Sequence, residues 1–280
     1  MKYFGRYGTS KRFARILVAS SWPVIIAGKR LSNVPLLRWI INPFFKRPHN
    51  ELTVIPIQAA VEKPESALIP RRVMEGLLSM IDDIFIFDEC VCRSICGCSE
   101  KPKNIGCMAL GPSARRIHPS HGRWASQEEA FAHVDRAARA GLVANVAHTW
   151  IDSVAFGLSD FRSLMFICFC DDCCCIFRRH MKSRGPNLDK AYRKLPGIGI
   201  TVNGELCTGC GSCVDGCFLH AIDLRDGTAY ITGDCAGCGR CLDACAQGAL
   251  ALHMDSEGEL LDQLVRRIKS LSTIPLNNPR

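Results

Sequence analysis

The sequence of 280 residues lacks the motifs by which a chain binds a dinucleotide or a nucleoside triphosphate. No G-x-G-x-x-G follows a predicted strand, and no P-loop is present. This absence favours a carrier over a self-contained dehydrogenase. The chain also lacks an uninterrupted apolar run of the ~18–20 residues that a membrane-spanning helix needs. Pro23, Lys29-Arg30, Pro35 and Arg38 break up the two apolar stretches near the N-terminus.

The first fifty residues lack acidic side chains. They hold ten Lys or Arg and no Asp or Glu, whereas the other residues hold 25 basic against 27 acidic side chains, so this arm accounts for the net charge of +8. It is also apolar and aromatic, which makes nucleic acid an unexpected partner. Three interpretations stay open: an interfacial segment on anionic lipid, an arm docked on the chain itself or on an acidic redox partner, and a targeting sequence.

Cysteine, in contrast, is abundant, with 18 residues in the chain. Eight of them form two runs of the pattern C-x2-C-x2-C-x3-C, which begin at Cys207 and Cys235 and belong to an internal repeat of 28 residues. Structural zinc uses two separated C-x2-C pairs and has no need of a third cysteine two residues on. Disulfides are not expected for thiols this crowded without an export signal. The pattern is typical of paired 4Fe–4S clusters.

The segment from about Gly197 to Met254 resembles the bacterial-type two-cluster ferredoxins. In that family the fourth cysteine of each run ligates the cluster of the other run. The resemblance implies one cluster on Cys207, Cys210, Cys213 and Cys245, and a second on Cys235, Cys238, Cys241 and Cys217. The sequence departs from the family at Phe218 and Ala246, where proline usually follows the fourth cysteine. Proline is no ligand, so this departure bears on rigidity and redox tuning and leaves the cluster number unchanged.

Ten further cysteines lie upstream in two groups, at positions 90–107 and 168–175. They are too dense for reduced structural cysteines, and soft thiolates suit both Fe–S clusters and zinc. We expect at least one more metal site, a third Fe–S cluster with zinc as the alternative. The likeliest ligands are Cys90, Cys92, Cys107 and Cys173. The full candidate set is Cys90, Cys92, Cys98, Cys107, Cys168, Cys170, Cys173 and Cys174.

The middle of the chain resembles a group of poorly characterised 4Fe–4S ferredoxin-like proteins of anaerobic bacteria and archaea. The resemblance covers about Leu52 to Cys175. Those relatives carry a longer second cysteine run, which Asp171 and Asp172 interrupt here. The motifs that carry the resemblance are Asp88-Glu89-Cys90-Val91-Cys92-Arg93, Gly106-Cys107-Met108-Ala109-Leu110-Gly111, Gly122-Arg123, Glu128-Glu129-Ala130, Gly141-Leu142-Val143 and the cysteines from Cys168 to Cys175.

Local patterns predict an α+β fold: a cysteine-rich α+β domain followed by a ferredoxin-like domain with an internal pseudo-two-fold repeat. We expect strands over Leu52–Ile57, Ile84–Phe87 and Ile198–Val202 and a helix over Pro70–Met80. Asp226-Gly227 predicts a turn between the two repeats. A capping box at Ser126–Glu129 predicts a further helix. The predicted boundaries are an arm (1–50), a cysteine-rich domain (51–180), a linker (181–196), the two-cluster domain (197–254) and a C-terminal helix and tail (255–280).

The sequence also predicts the surroundings of several individual side chains. Arg93 is expected to be solvated, with a contact to a cluster as the alternative. His133 is expected on the surface, and Asp171 and Asp172 are expected as polar loop residues. The helix over 257–271 is expected to pack over the two-cluster domain.

The function expected from these observations is an iron–sulfur electron-transfer protein that carries single electrons to or from a larger oxidoreductase. A reductase with a substrate-binding cluster in the upstream domain stays open, as does a zinc-stabilised adaptor. The chain is therefore expected as a carrier or oxidoreductase subunit of an anaerobe, with no catalytic residue assigned. It is expected in the cytoplasm with a redox partner protein, and peripheral contact with the inner face of the membrane through residues 1–50 stays open.

Overall fold

A computed structural model describes residues 6–32, 34–45, 50–59, 69–176, 178 and 191–278. The helices are α1 (Lys11–Leu31), α2 (Arg38–Phe45), α3 (Ile69–Ser79), α4 (Val91–Ile95), α5 (Gln127–Arg139), α6 (Trp150–Ala155), α7 (Ser212–Gly216), α8 (Arg240–Ala244) and α9 (Glu257–Leu271). The strands are β1 (Asn50–Ile55), β2 (Ile84–Phe87), β3 (Met108–Leu110), β4 (Gly122–Trp124), β5 (Val143–Thr149), β6 (Met165–Cys170), β7 (Tyr192–Lys194), β8 (Ile198–Val202), β9 (Ile222–Arg225), β10 (Thr228–Ile231) and β11 (Leu250–Met254).

Seven strands form one mixed sheet in the order β4-β2-β3-β6-β5-β1-β7. Neighbouring strands run antiparallel except β1 and β7, which are parallel. This mixture of helices with a largely antiparallel sheet is compatible with the predicted α+β class. Strand β7 falls in the segment predicted as a linker, of which residues 181–190 lie outside the described part of the chain.

The two faces of this sheet bury different partners because alternate residues of a strand point to opposite sides. One face carries residues such as Ile84 and Ile86 and packs against α3, α5 and α9. The other face carries Phe85, Phe166 and Cys168, and it packs against Phe218 from the C-terminal segment. The helices therefore cover one side of the sheet, and cysteines lie on the other.

The helical side follows from strong local signals. Helix α5 begins with the predicted capping box, in which Ser126 and Glu129 each bond the other's backbone N–H. Helix α9 has the predicted bounds and a second capping box at Ser256. Contact with the C-terminal segment is only part of its packing. Leu264 and Ile268 of α9 share a core with α3 and the sheet, and the same core includes Ile198 and Leu252 from β8 and β11.

Residues 198–254 form two small antiparallel pairs, β8 with β11 and β9 with β10. The predicted turn at Asp226-Gly227 joins β9 to β10. Both residues have positive φ, 49° and 74°, as a two-residue type I′ hairpin requires. Helices α7 and α8 lie against each other, and their first residues, Ser212 and Arg240, are one repeat length apart.

The N-terminal arm packs on the cysteine side of the sheet. Its backbone is anchored where Gly8 N–H donates to the carbonyl of Arg116 and Thr9 N–H to that of Phe156. Helix α1 then contacts α4 and α6. Among the described residues, no helix is both long and apolar enough to cross a membrane.

Candidate metal centres

The two C-terminal cysteine runs share one backbone path. Gly209 and Gly237, one repeat apart, both have φ of +67°, a conformation that L side chains rarely adopt. A Cβ on Gly209 would lie 2.4 Å from the carbonyl oxygen of Gly227, so this turn also has no room for a side chain. Each run therefore makes a tight turn at its glycine. The short helix α7 follows the turn in the first run, and α8 follows it in the second.

The structure brings the fourth cysteine of each run to the other run. Cys245 lines one small cavity together with three cysteines of the first run, Cys207, Cys210 and Cys213. Burial and the nearby charges of Cys245 and Cys207 raise the pKa of Cys213.

Around the second run, burial raises the pKa of Cys241, and the like charges of Cys238, Cys235 and Cys217 raise it further. Cys217, from the first run, therefore lies among the cysteines of the second. Cys245 therefore lies with the first run and Cys217 near the second, while the two ligand sets implied by the resemblance stay a prediction.

Backbone N–H groups point at several of these sulfur atoms. Ala221 N–H donates to Cys217 Sγ at 3.3 Å, and Ala229 N–H donates to Cys207 Sγ at 3.4 Å. Such donors favour the negatively charged thiolate, which is the form that binds iron. The apolar core around them, which includes Ile222 and Leu250, limits the access of water.

Six upstream cysteines line a second and much larger space. The cavity has a volume of about 300 Å³ and lies on the cysteine side of the sheet. We call it the thiol chamber. The cysteines that line it are Cys90, Cys92, Cys107, Cys168, Cys170 and Cys175.

The fold explains why cysteines so far apart in sequence meet there. Cys168 and Cys170 lie two residues apart on β6, so both point to the same face of the sheet. The chain turns sharply after β6 and returns Cys175 to Cys170, with their Sγ atoms 3.2 Å apart. Cys90 and Cys92 lie at the start of α4, next in sequence to the end of β2.

The chamber thiols are mutually hydrogen-bonded and buried. A hydrogen bond with Cys107 and burial raise the pKa of Cys168 well above its usual range, and a hydrogen bond with Cys175 and burial do the same for Cys170. Contacts with Cys175 and Cys90 raise the pKa of Cys92. Several thiolates cannot share a buried space without a compensating cation. A metal centre would supply that cation, so these residues fit one.

A buried arginine holds the walls of the chamber, and this corrects the expectation that Arg93 is solvated. Its side chain is 1% exposed. Nε donates to the carbonyl of Pro102, Nη2 to that of Ile105 and Nη1 to that of Phe169, at 2.5–2.9 Å. Nη1 also lies 3.3 Å from Asp171 Oδ2. Arg93 therefore ties α4 to the loop before Cys107 and to the end of β6.

The two aspartates after β6 are likewise structural, and neither is a free loop residue. Asp171 is buried and accepts the N–H of Cys174 at 2.7 Å. Asp172 forms ion pairs with Arg178 and Arg240. Arg240 belongs to α8, so the turn after β6 is joined to the second C-terminal run.

The turn after β6 also contacts Cys238 of the second cysteine run, through Arg178. The guanidinium of Arg178 lies 3.9 Å from the centre of the Phe218 ring and 4.0 Å from Cys238 Sγ. Cys217, Cys235 and Cys238 pack against the same core that holds Cys168, Cys170 and Cys175. The second C-terminal run therefore adjoins the thiol chamber.

A third group of thiols is separate from the chamber. The sulfur atoms of Cys98, Cys173 and Cys174 all lie within 4.8 Å of one another, and none of these residues lines the chamber. The structure thus separates Cys173 from Cys90, Cys92 and the other predicted chamber ligands. Sequence reasoning also left Cys175 out of the ligand set, although its place in an unbroken run of three cysteines was a signal.

In the part of the chain that the structure describes, no histidine joins these groups. His133 was expected on the surface, and that expectation is wrong, since only 2% of the residue is exposed. Its Nε2–H donates to the carbonyl of Gly106 at 2.8 Å, and its Nδ1 accepts from Arg136 at 2.8 Å. Both ring nitrogens are therefore occupied by the fold.

Helix α1 forms the roof of the thiol chamber. Leu17, Val18, Trp22 and Ile25 recur at helical spacing and line the cavity. Lys11, in the first turn of the helix, pairs with Glu89 at 3.3 Å. The arm is therefore docked on the cysteine-rich part of the chain along this face.

These thiol groups define a cysteine-rich α/β protein with several places that can bind a metal ion or cluster. No protein-family model, curated protein or solved structure matches the chain. Any closer assignment therefore depends on the residues and their arrangement.

Proposed function

We propose that the protein is an iron–sulfur electron-transfer protein in which two 4Fe–4S clusters occupy residues 197–254. The single observation that carries this proposal is the exchange of Cys217 and Cys245 between two repeated runs of four cysteines. Two independent structural zinc sites would not need that exchange. Paired cubanes do, because each run supplies only three thiolates to its own cluster.

The side chains and backbone around these thiols suit one-electron transfer. A 4Fe–4S cluster supplies a site that gains or loses one electron with little change of geometry. The N–H donors to Cys207 and Cys217 stabilise negative charge on the ligands and thereby help set the potential. The aromatic ring of Phe218, where relatives carry proline, is fully buried and keeps the second run against the upstream core.

The thiol chamber is proposed to hold a third Fe–S centre. Its six thiols exceed the four that a cubane needs, and it adjoins Cys217, Cys235 and Cys238. The three centres would then form a series, from the chamber through the second run to the first. Cys210 of the first run is the most exposed of the eight C-terminal cysteines, and that end is proposed as the place where a redox partner protein docks.

A reductase is the second candidate, and the volume of the chamber favours it. A space of about 300 Å³ with a largely apolar lining reaches the lower end of the range for small-molecule sites. The chamber residues would hold a cluster at the cysteine wall, and α1 would cover a small substrate opposite it. Chain residues available to position such a substrate include Trp22 and Trp150.

The outer surface of the arm is proposed to contact an anionic membrane. Phe13 and Ile16 of α1 are more than half exposed, and Trp39 of α2 is 81% exposed. Exposed arginines flank them, and residues 1–50 contain no acid. This combination is typical of interfacial helices. Trp22 is turned inward, so it contributes nothing to lipid binding.

Reductive titration of the anaerobically purified full chain tests the carrier against the reductase. A carrier takes up one electron per cluster, passes them to a one-electron acceptor, and its EPR spectrum does not respond to small organic substrates. A spectrum that changes when a substrate candidate enters the chamber would favour the reductase. Uptake of fewer than two electrons per chain would contradict both.

A further inference from the structure

We propose that Cys98, Cys173 and Cys174, with Cys96, form a site for a single tetrahedral metal ion of the zinc class. This site is distinct from the thiol chamber and from the C-terminal clusters. The inference goes beyond the proposed electron-transfer function, since a redox-inactive ion would serve the fold and carry no electrons.

Three sulfur atoms close enough to bind one ion distinguish this group, because no three thiols of the chamber lie so close together in the described part of the chain. Two sulfur ligands of a tetrahedral zinc ion, with bonds of about 2.3 Å, lie about 3.8 Å apart. Cys98 Sγ and Cys173 Sγ are 3.9 Å apart, and Cys174 Sγ lies 3.2 Å from Cys173 Sγ. In a cubane each thiolate binds its own iron, so the sulfur ligands stand farther apart than two ligands of one ion. Three thiols gathered within 4.8 Å therefore suit one ion.

Cys96 is proposed as the fourth ligand; its Sγ lies outside the group of three sulfur atoms within 4.8 Å of one another, so it would have to move toward the ion. Gly97 lies between it and Cys98 with φ of +65°, and this turn keeps both cysteines at the end of α4. Cys96 Sγ lies 3.8 Å from the carbonyl oxygen of Cys174, which is itself a member of the site. Four thiolates complete the coordination of a structural zinc ion, which leaves no open position.

The position of the site explains what the ion would do. Cys96 and Cys98 follow α4, which carries the chamber residue Cys92. Cys173 and Cys174 belong to the turn between two other chamber residues, Cys170 and Cys175. One ion would thus hold together the two segments that supply four of the six chamber cysteines, Cys90, Cys92, Cys170 and Cys175. The buried pair of Arg93 and Asp171 spans the same two segments from inside. The ion is a positioning element for the chamber.

Metal analysis of the full chain tests the proposal. We expect one zinc ion per chain in protein purified anaerobically from medium that contains both iron and zinc. Cys98→Ser and Cys173→Ser should each lose that zinc and keep the iron of the C-terminal clusters. Cys107→Ser is the matched control, because Cys107 lines the chamber and lies outside this site; it should keep the zinc.

X-ray absorption at the zinc edge of the unaltered protein provides a test that does not depend on the folding of any variant. The proposal expects a shell of sulfur ligands at about 2.3 Å. A shell of nitrogen and oxygen would mean adventitious surface zinc and would overturn the proposal. Absence of zinc, or zinc that persists in the double variant Cys98→Ser/Cys173→Ser, would overturn it as well. Because iron is counted separately, failure here leaves the cluster proposal to its own test.

Discussion

Replacement of Arg93 by methionine should destabilise the protein. It should also cause loss of the iron proposed to bind in the thiol chamber, while the proposed C-terminal clusters stay in place. Methionine has a similar length and no charge. It would leave Asp171 buried without its cation and would release the carbonyl groups of Pro102, Ile105 and Phe169. Loss of one partner of a buried ion pair costs about 3–5 kcal/mol.

That free energy converts into a measurable shift of the melting temperature. With about 2–4 °C per kcal/mol for chains of 150–250 residues, Arg93→Met should melt about 6–20 °C lower. Bound metal adds to stability, so wild type and variant are compared both loaded and after metal removal. Differential scanning under anaerobic conditions measures the shift, and iron analysis measures the loss from the chamber.

Two further variants make the reasoning about Arg93 refutable. Arg123→Met removes an arginine paired with Glu129 at 2.6 Å, but both side chains are about half exposed, so it should cost less than about 1 kcal/mol. Adding Asp171→Asn to Arg93→Met removes the stranded charge and should recover part of the loss. If Arg93→Met melts within the error of Arg123→Met and retains its iron, Arg93 does not hold the chamber.

Three other predictions address the clusters, the pH dependence and the arm. Cys217→Ala should damage the cluster of the second run and Cys245→Ala that of the first, as separate EPR signals would report; the reverse pattern would refute the crossed assignment. Burial lowers the pKa of His133 to about 4, below the roughly 6.5 of an unfolded chain. The free energy of unfolding should therefore fall as the pH drops from about 6.5 to about 4, and His133→Gln should reduce that slope; an unchanged slope in denaturant titrations would contradict the assignment. The full chain should float with anionic liposomes, partly even at high salt, whereas Ile16→Ser with Trp39→Ser should lose the salt-resistant part; equal flotation of both proteins would exclude these side chains.

The sequence carried most of the information about the local elements. Alternation and turn residues placed β2, β8 and the hairpin at Asp226-Gly227, because a two-residue turn and a repeat of 28 residues are signals contained in short segments. The capping box at Ser126 likewise determined where α5 begins. The resemblance of the two repeated cysteine runs to two-cluster ferredoxins also predicted that Cys245 would lie near the first run and Cys217 near the second.

The packing between distant segments could not be predicted from short sequence patterns. Arg93 and His133 look like surface residues in a linear pattern, and only the pairing of distant strands buries them. The division of the ten upstream cysteines depends on the turn after β6 that returns Cys175 to Cys170. The inward face of α1 is apolar in sequence, but its partner is a cavity assembled from segments more than sixty residues away.

We propose above all that residues 197–254 hold two 4Fe–4S clusters with exchanged fourth ligands. Mössbauer spectroscopy of the iron-57-labelled full chain, with iron and acid-labile sulfide counted per chain, tests it most directly. The account predicts about eight irons and eight sulfides from this pair of clusters, and these must persist when chamber cysteines such as Cys107 are replaced by serine. Four or fewer irons in that variant, or zinc in their place, would contradict it.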